Sequence, residues 1–133
     1  MEIPNINLLS VTPVYLALLG LMFLPFTMRV GLYRVKNEIL IGDGADPELL
    51  RRIRGQGNFI ETVPLAILLL IIMETLGASA TWLHALGSLL VAGRLLHYIA
   101  MTEVGPAIGR PVGMMATLAV FAVASIWILV DVL

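Results

Sequence analysis

The stretch Arg51–Pro64, RRIRGQGNFIETVP, places three arginines, a glutamine, an asparagine and a glutamate directly ahead of the apolar run PLAILLLIIM. On a helix turning about 100° per residue, Arg51, Arg54, Asn58 and Glu61 fall at i, i+3, i+7 and i+10 and form one stripe. Arginine stays charged and presents a fork of donors, asparagine donates and accepts, and an ionised carboxylate accepts only. Arg94, His97 and Met101 make a second stripe, at i, i+3 and i+7, and Arg29, Arg34 and Arg110 add cations near the same chain segments. Glu61 is expected to pair with Arg94 or Arg54, which leaves other arginines without protein anions. Surplus arginine around one carboxylate suits a small anionic ligand that also carries one positive amine.

Composition narrows the chemistry. The sequence contains no cysteine, so a disulfide framework, a thiolate metal site and a cysteine nucleophile are excluded. Any sulfur chemistry must use a sulfur brought by the ligand. His84 and His97 are far apart in the sequence and do not make a metal site. A net charge of −1 gives no reason to expect nucleic acid.

Each polar residue also has a structural reading. Basic residues at helix ends, Arg29, Lys36, Arg51 and Arg52 among them, often meet only lipid phosphate. A buried Glu–Arg pair can serve packing alone. Asn58 can be an interhelical hydrogen-bonding residue, and a lone histidine such as His97 is commonly packed and hydrogen-bonded. Met114 and Met115 read as packing, and Trp82 as part of an aromatic belt.

The elements that must position these groups are membrane helices. The chain has 133 residues, of which 59% are hydrophobic and 13% charged, with a mean hydropathy of +0.99. Soluble domains carry about 25% charge, and a membrane span needs about 20 apolar residues. The expectation is an all-α integral membrane protein, a four-helix bundle in one domain covering residues 1–133. The spans are expected at about 11–35, 47–77, 80–101 and 111–130. Pro13 suits a helix start, and Pro25 is expected to bend the first span. Asp46-Pro47-Glu48 reads as N-cap, first-turn proline and acidic first turn, Ser79 as a cap, and Gly109-Arg110-Pro111 as the opening of the last span. Only twelve uncharged residues run without interruption from Thr62 to Met73. The second span must therefore include Glu61 and Asn58, or Glu74 and Thr75. A carboxylate near an interface is costly unless it is paired or faces a cavity.

Charge sets the orientation. All eight lysines and arginines flank the connections between spans one and two and between spans three and four. The positive-inside rule puts both connections in the cytoplasm and both termini outside. The first apolar run has no preceding basic segment and no A-x-A-like cleavage site, so it is expected to be a retained helix.

The pattern R-x-x-x-N-x-x-E-x-x-P, here Arg54-Gly-Gln-Gly-Asn58-Phe-Ile-Glu61-Thr-Val-Pro64, resembles the signature of the MAPEG family, the membrane-associated proteins in eicosanoid and glutathione metabolism. GDGADPELLRRIRGQGN before it and AGRLLHYIAM after it resemble the bacterial inner-membrane branch, and the likeness covers roughly residues 10–130. The resemblance implies a homotrimer with three glutathione sites between protomers, open toward the cytoplasm. Arg54, Asn58 and Glu61 match glutathione-binding positions. Glu61 would hold the ligand's ammonium, and Arg54 a carboxylate or nearby backbone. Gln56 and Arg34 match positions contributed by the neighbouring protomer. Arg94 matches the arginine of the third helix that supports the site, and His97 stands where eicosanoid-type members carry a tyrosine. Arg110 resembles the fourth-helix arginine proposed to stabilise the glutathione thiolate. Met101 replaces a second helix-three tyrosine, and Thr62 a tyrosine that often follows the motif glutamate.

The function implied is a membrane-embedded glutathione S-transferase-like protein that conjugates glutathione, as co-substrate, to a lipophilic electrophile from the bilayer. A rival reading is a non-catalytic protein that binds glutathione or an anionic lipid headgroup. A third, a small proton-coupled exporter using Glu61, sits poorly with a carboxylate near one interface, because transport sites lie near the midplane.

Overall fold

In the computed structural model, which describes residues 9–133, the chain forms four helices: α1, Thr12–Lys36; α2, Pro47–Thr75; α3, Ala80–Met101; and α4, Gly109–Val132. All four are long and apolar enough to cross a membrane. The expected outward placement of the N-terminal residues falls on positions 1–8, outside the described residues.

Local chemistry explains the boundaries. The Asp46 carboxylate accepts the N–H groups of Glu48 at 2.8 Å and Leu49 at 3.0 Å, and Pro47 stands where a missing donor costs nothing. The Ser79 hydroxyl accepts from the Trp82 N–H. α1 ends in a turn carrying Arg34 and Lys36, which suits the negative end of the helix dipole. α1 is helical through Pro25, and α2 through Pro64. α4 starts two residues ahead of the expected position, at Gly109.

α1 has no side-chain cap of its own. Its N-terminus is closed by Glu74, near the far end of α2. One carboxylate oxygen accepts the N–H groups of Ser10 at 2.6 Å and Val11 at 2.7 Å; the other accepts the Thr12 N–H at 2.8 Å and the Thr12 hydroxyl. Close by, the Tyr15 hydroxyl meets His84 Nδ1 at 2.9 Å and the Ser88 hydroxyl at 3.0 Å, tying α1 to α3.

α2 and α3 occupy the centre. α1 packs on both from one side and α4 from the other, and α1 and α4 do not adjoin among the described residues. The core runs along these seams through Leu19, Phe26, Phe59, Leu70, Met73, Leu90 and Val120. α3 and α4 approach most closely. A Cβ on Gly113 would lie 2.7 Å from His97 Cβ and closer still to the Gly93 carbonyl, and one on Gly109 would lie 2.8 Å from Ala100 Cβ. Small residues let membrane helices come together this tightly. The outer faces are aliphatic, as a lipid environment requires; Leu21, Leu32 and Leu118 are all exposed.

Candidate functional site

Every lysine and arginine lies at one end of the bundle, where α1 and α3 finish and α2 and α4 begin. Arg94 is the centre of that end. It is 1% exposed, and its partners come from α2 and α4. Nη1 donates to Asn58 Oδ1 at 2.6 Å and to the Thr62 hydroxyl at 3.1 Å. Nη2 donates to the Gly113 carbonyl at 2.8 Å, while Nε has no partner. A buried cation is therefore held by neutral acceptors.

The Glu61–Arg94 and Glu61–Arg54 pairs expected from sequence do not form. The only ion pairs among the described residues join Glu48 to Arg51 and Arg52, and Arg51 to Glu103. Arg94 points into the bundle, whereas Glu61 lies on the exposed face of α2. Arg54 shares that exposed face but precedes Glu61 by two turns, about 10 Å of rise, beyond ion-pair reach. Glu61 Oε1 lies 3.9 Å from the place a Cβ on Gly57 would occupy, an ordinary contact distance, so the carboxylate folds back over the glycine one turn earlier.

The Arg94 bond also orients Asn58. A guanidinium only donates, so the asparagine oxygen must face it. The Asn58 NH₂ has no acceptor among the described residues, and Asn58 shares its helical stripe with Arg54 and Glu61. Thr62 completes the arrangement, accepting from Arg94 while donating to the Asn58 carbonyl at 2.7 Å. Sequence reading marked Thr62 only as a replaced tyrosine. Its spacing of four from Asn58 was the available signal.

The remaining candidates are distributed around this centre. Gln56 donates to the Thr27 hydroxyl at 3.0 Å within the same chain, which leaves its amide oxygen free to accept. Arg34 has a buried Nη1 without a hydrogen-bond partner. It lines a 490 Å³ groove with Gly31, Val35, Glu38, Ile39 and Leu40. Arg110 donates through Nε to the Ala100 carbonyl at 3.1 Å, closing the end of α3. His97 is 8% exposed, in the α3–α4 seam against Gly113. Tyr98, its neighbour, stacks on Phe26 with ring centroids 3.5 Å apart, and its hydroxyl is buried without a partner. Of the basic residues expected to meet only lipid phosphate, Arg51 and Arg52 instead pair with Glu48, and Arg52 also donates to the Arg29 carbonyl.

An apolar groove of 540 Å³ between α1 and α2 runs into the layer of lipid-facing side chains, lined by Leu19, Gly20, Phe23, Phe59, Ile60, Val63 and Pro64 among others. Pro64 supplies no N–H to the Ile60 carbonyl.

Comparison with known proteins agrees with this architecture. The model of the MAPEG family matches residues 12–130. The inner membrane protein YecN of Escherichia coli strain K12 is 39% identical over 88 residues, which is 66% of this chain and 67% of YecN. YecN of the O6:H1 strain matches equally. The region matched by the family model takes in α1, α2 and α3, α4 as far as residue 130, and the Arg54–Asn58–Glu61 stripe with its Arg94 support, and on that ground the chain belongs to the MAPEG family.

Proposed function

We propose that the protein binds glutathione at its basic end, in sites shared between the protomers of a homotrimer, and conjugates the glutathione sulfur to lipophilic electrophiles. The observation that carries this reading is the Asn58 amide fixed by Arg94 on the same face as Arg54 and an unpaired Glu61. Glutathione presents one ammonium and two carboxylates. Glu61 has no cation of its own to give up, and the buried Arg34 Nη1 has a hydrogen bond still to make. Both fit such a ligand. In the trimer, Arg34 and the free amide oxygen of Gln56 face the stripe of a neighbouring protomer. The exposed Leu65, Leu68 and Ile72 continue the stripe along α2 and supply an apolar contact surface. The membrane is the bacterial inner membrane, with the basic end cytoplasmic and both termini outside. The one-sided distribution of all eight cations supports this, as does the inner-membrane relative.

A free thiol has a pKa of about 8.5, so little of it is thiolate at neutral pH. Arg110 is held by the Ala100 carbonyl through Nε and keeps its two Nη groups for the sulfur. A guanidinium there favours the anion and removes the need for a separate base. The groove beside Phe23, Phe59 and Pro64 admits the electrophile from the lipid side. Holding both reactants at one site gains from proximity.

One observation favours a non-catalytic site that binds glutathione or an anionic lipid headgroup. His97 stands where eicosanoid-type members have a tyrosine, and it is packed into the α3–α4 seam. A hydroxyl near the sulfur is thereby lost.

Calorimetric titration of glutathione into the wild type and Glu61→Gln, followed by conjugation of a lipophilic haloarene, tests both readings. The expected outcome is saturable binding that Glu61→Gln weakens at least tenfold, with turnover by the wild type. Binding without turnover supports the non-catalytic reading. Absence of binding by folded wild type overturns both glutathione readings.

A further inference from the structure

The connection from α1 to α2 is short, closed by hydrogen bonds, and unexpectedly apolar at its tip. Ile39 donates its N–H to the Arg34 carbonyl at 3.0 Å, and its side chain tucks against Gly44, where a Cβ would lie 3.0 Å from Ile39 Cδ1. At the other end, Asp46 N–H bonds the Asp43 carbonyl, and Ala45 N–H bonds the Asp43 carboxylate. Glu38, Gly42 and Gly44 take positive φ, which sets the turns. Between these fixed points Leu40 and Ile41 project outward, each 91% exposed.

A loop in water gains nothing from two such side chains. Their position explains them. Leu21, Leu24, Met28, Leu32 and Val35 form one stripe of exposed aliphatic groups along α1, spaced three and four apart, which is its lipid-facing surface. The stripe ends at Lys36 and Asn37, where a long cation reaches headgroup phosphate with its stem along apolar surface. The chain turns at the bond from the Ile39 N–H to the Arg34 carbonyl, which brings Leu40 to the groove that also holds Val35, the last residue of the stripe, and Ile41 follows it.

We infer that the Asn37–Asp46 connection is an interfacial anchor whose Leu40 and Ile41 dip back into the bilayer at the boundary of headgroups and acyl chains. The partner is the lipid surface. Interfacial segments insert apolar groups to about 5–10 Å in this way, with basic residues beside them at phosphate level. Lys36 supplies the cation here.

The chain has no cysteine, so Ile41→Cys, Asn37→Cys and Leu32→Cys each take a single nitroxide label. Label accessibility to oxygen and to a water-soluble nickel chelate would be measured by electron paramagnetic resonance in nanodiscs containing anionic lipid. The inference expects the oxygen-to-nickel ratio at Ile41 to exceed that at Asn37 severalfold and to approach that at Leu32. It also expects Leu40→Ser, added to Ile41→Cys, to lower that ratio. A ratio at Ile41 equal to or below that at Asn37 places the loop in water and overturns the inference. Shielding from both reagents places it against protein, such as a second copy, and overturns it equally. Ile41 is exposed, so its substitution leaves the core intact, and unchanged helical circular dichroism verifies folding.

Discussion

At the scale of residues, the site depends on which groups are satisfied within the protomer and which are not. Arg94 has four neutral acceptors around it, the fourth being the Met114 sulfur at 4.0 Å. Arg94→Ala leaves Asn58 Oδ1 without its donor, while the Gly113 carbonyl keeps the Thr117 hydroxyl at 3.1 Å; an unsatisfied buried polar group costs about 1–3 kcal/mol. Arg94→Ala should therefore lower the unfolding temperature in detergent. It should also weaken glutathione binding, because Asn58 is no longer held in one orientation. Titration calorimetry beside thermal unfolding reads both. Glu74→Ala should behave differently. It removes the cap of α1 and costs about 1–2 kcal/mol, on the scale of helix caps and charge-assisted hydrogen bonds, while glutathione affinity at the other end is unchanged. At the surface, the N–H groups of Leu49 and Glu48 and the Tyr33 hydroxyl hold Asp46 below the usual carboxylate range. A carboxylate with a depressed folded-state pKa gives its full stabilisation above its unfolded value, about 3.9, and loses it as pH falls through the lower folded value. Asp46→Asn should make thermal stability less dependent on pH in that acid range; an unaltered acid limb would show that the cap does not titrate.

At the scale of elements, the sequence was informative wherever structure is local. Asp46-Pro47 and Ser79 mark helix starts through their own neighbours, and the observed helices lie within two residues of the expected ones. The stripe Arg54–Asn58–Glu61 was legible because helical periodicity alone puts those residues on one face. The partners of the stripe were not. Opposite charges made Glu61–Arg94 the natural pairing, but Arg94 turns inward to Thr62 and a backbone carbonyl, which carry no charge signal. Glu74 capping α1, and Tyr15 meeting His84, join residues more than sixty positions apart, and no periodicity records such contacts. The α3–α4 seam was equally hidden, since Gly93, Gly109 and Gly113 show their purpose only when the space around them is measured. Gly113→Ala should separate the two helices against a backbone carbonyl and destabilise the fold by about 1–3 kcal/mol, the usual cost of overpacking. A thermal unfolding curve that coincides with wild type would mean the seam can relax without loss.

At the scale of the whole molecule, the protomer is open: α2 and α3 form its middle, and α1 and α4 remain apart. The Arg54–Glu61 face and the apolar groove between α1 and α2 are both accessible, which suits a site completed by another copy. If the sites are shared, protomers carrying Arg34→Ala and protomers carrying Glu61→Gln should recover part of the glutathione binding when co-assembled, although each variant alone binds weakly. Binding stoichiometry on mixed trimers isolated with two affinity tags measures this. No recovery would place the whole site within one protomer.

The Glu74 clasp has a consequence for biosynthesis. α1 leaves the ribosome first, yet the group that satisfies its leading N–H donors is 62 residues away from Thr12. Until Glu74 has been made and α2 has crossed the bilayer, those donors lack the acceptor that the described residues give them. The first helix is thus completed by the end of the second, and closing that contact requires both spans to be in place. α3 and α4, held together by glycines, can then dock on a pair that is already fixed.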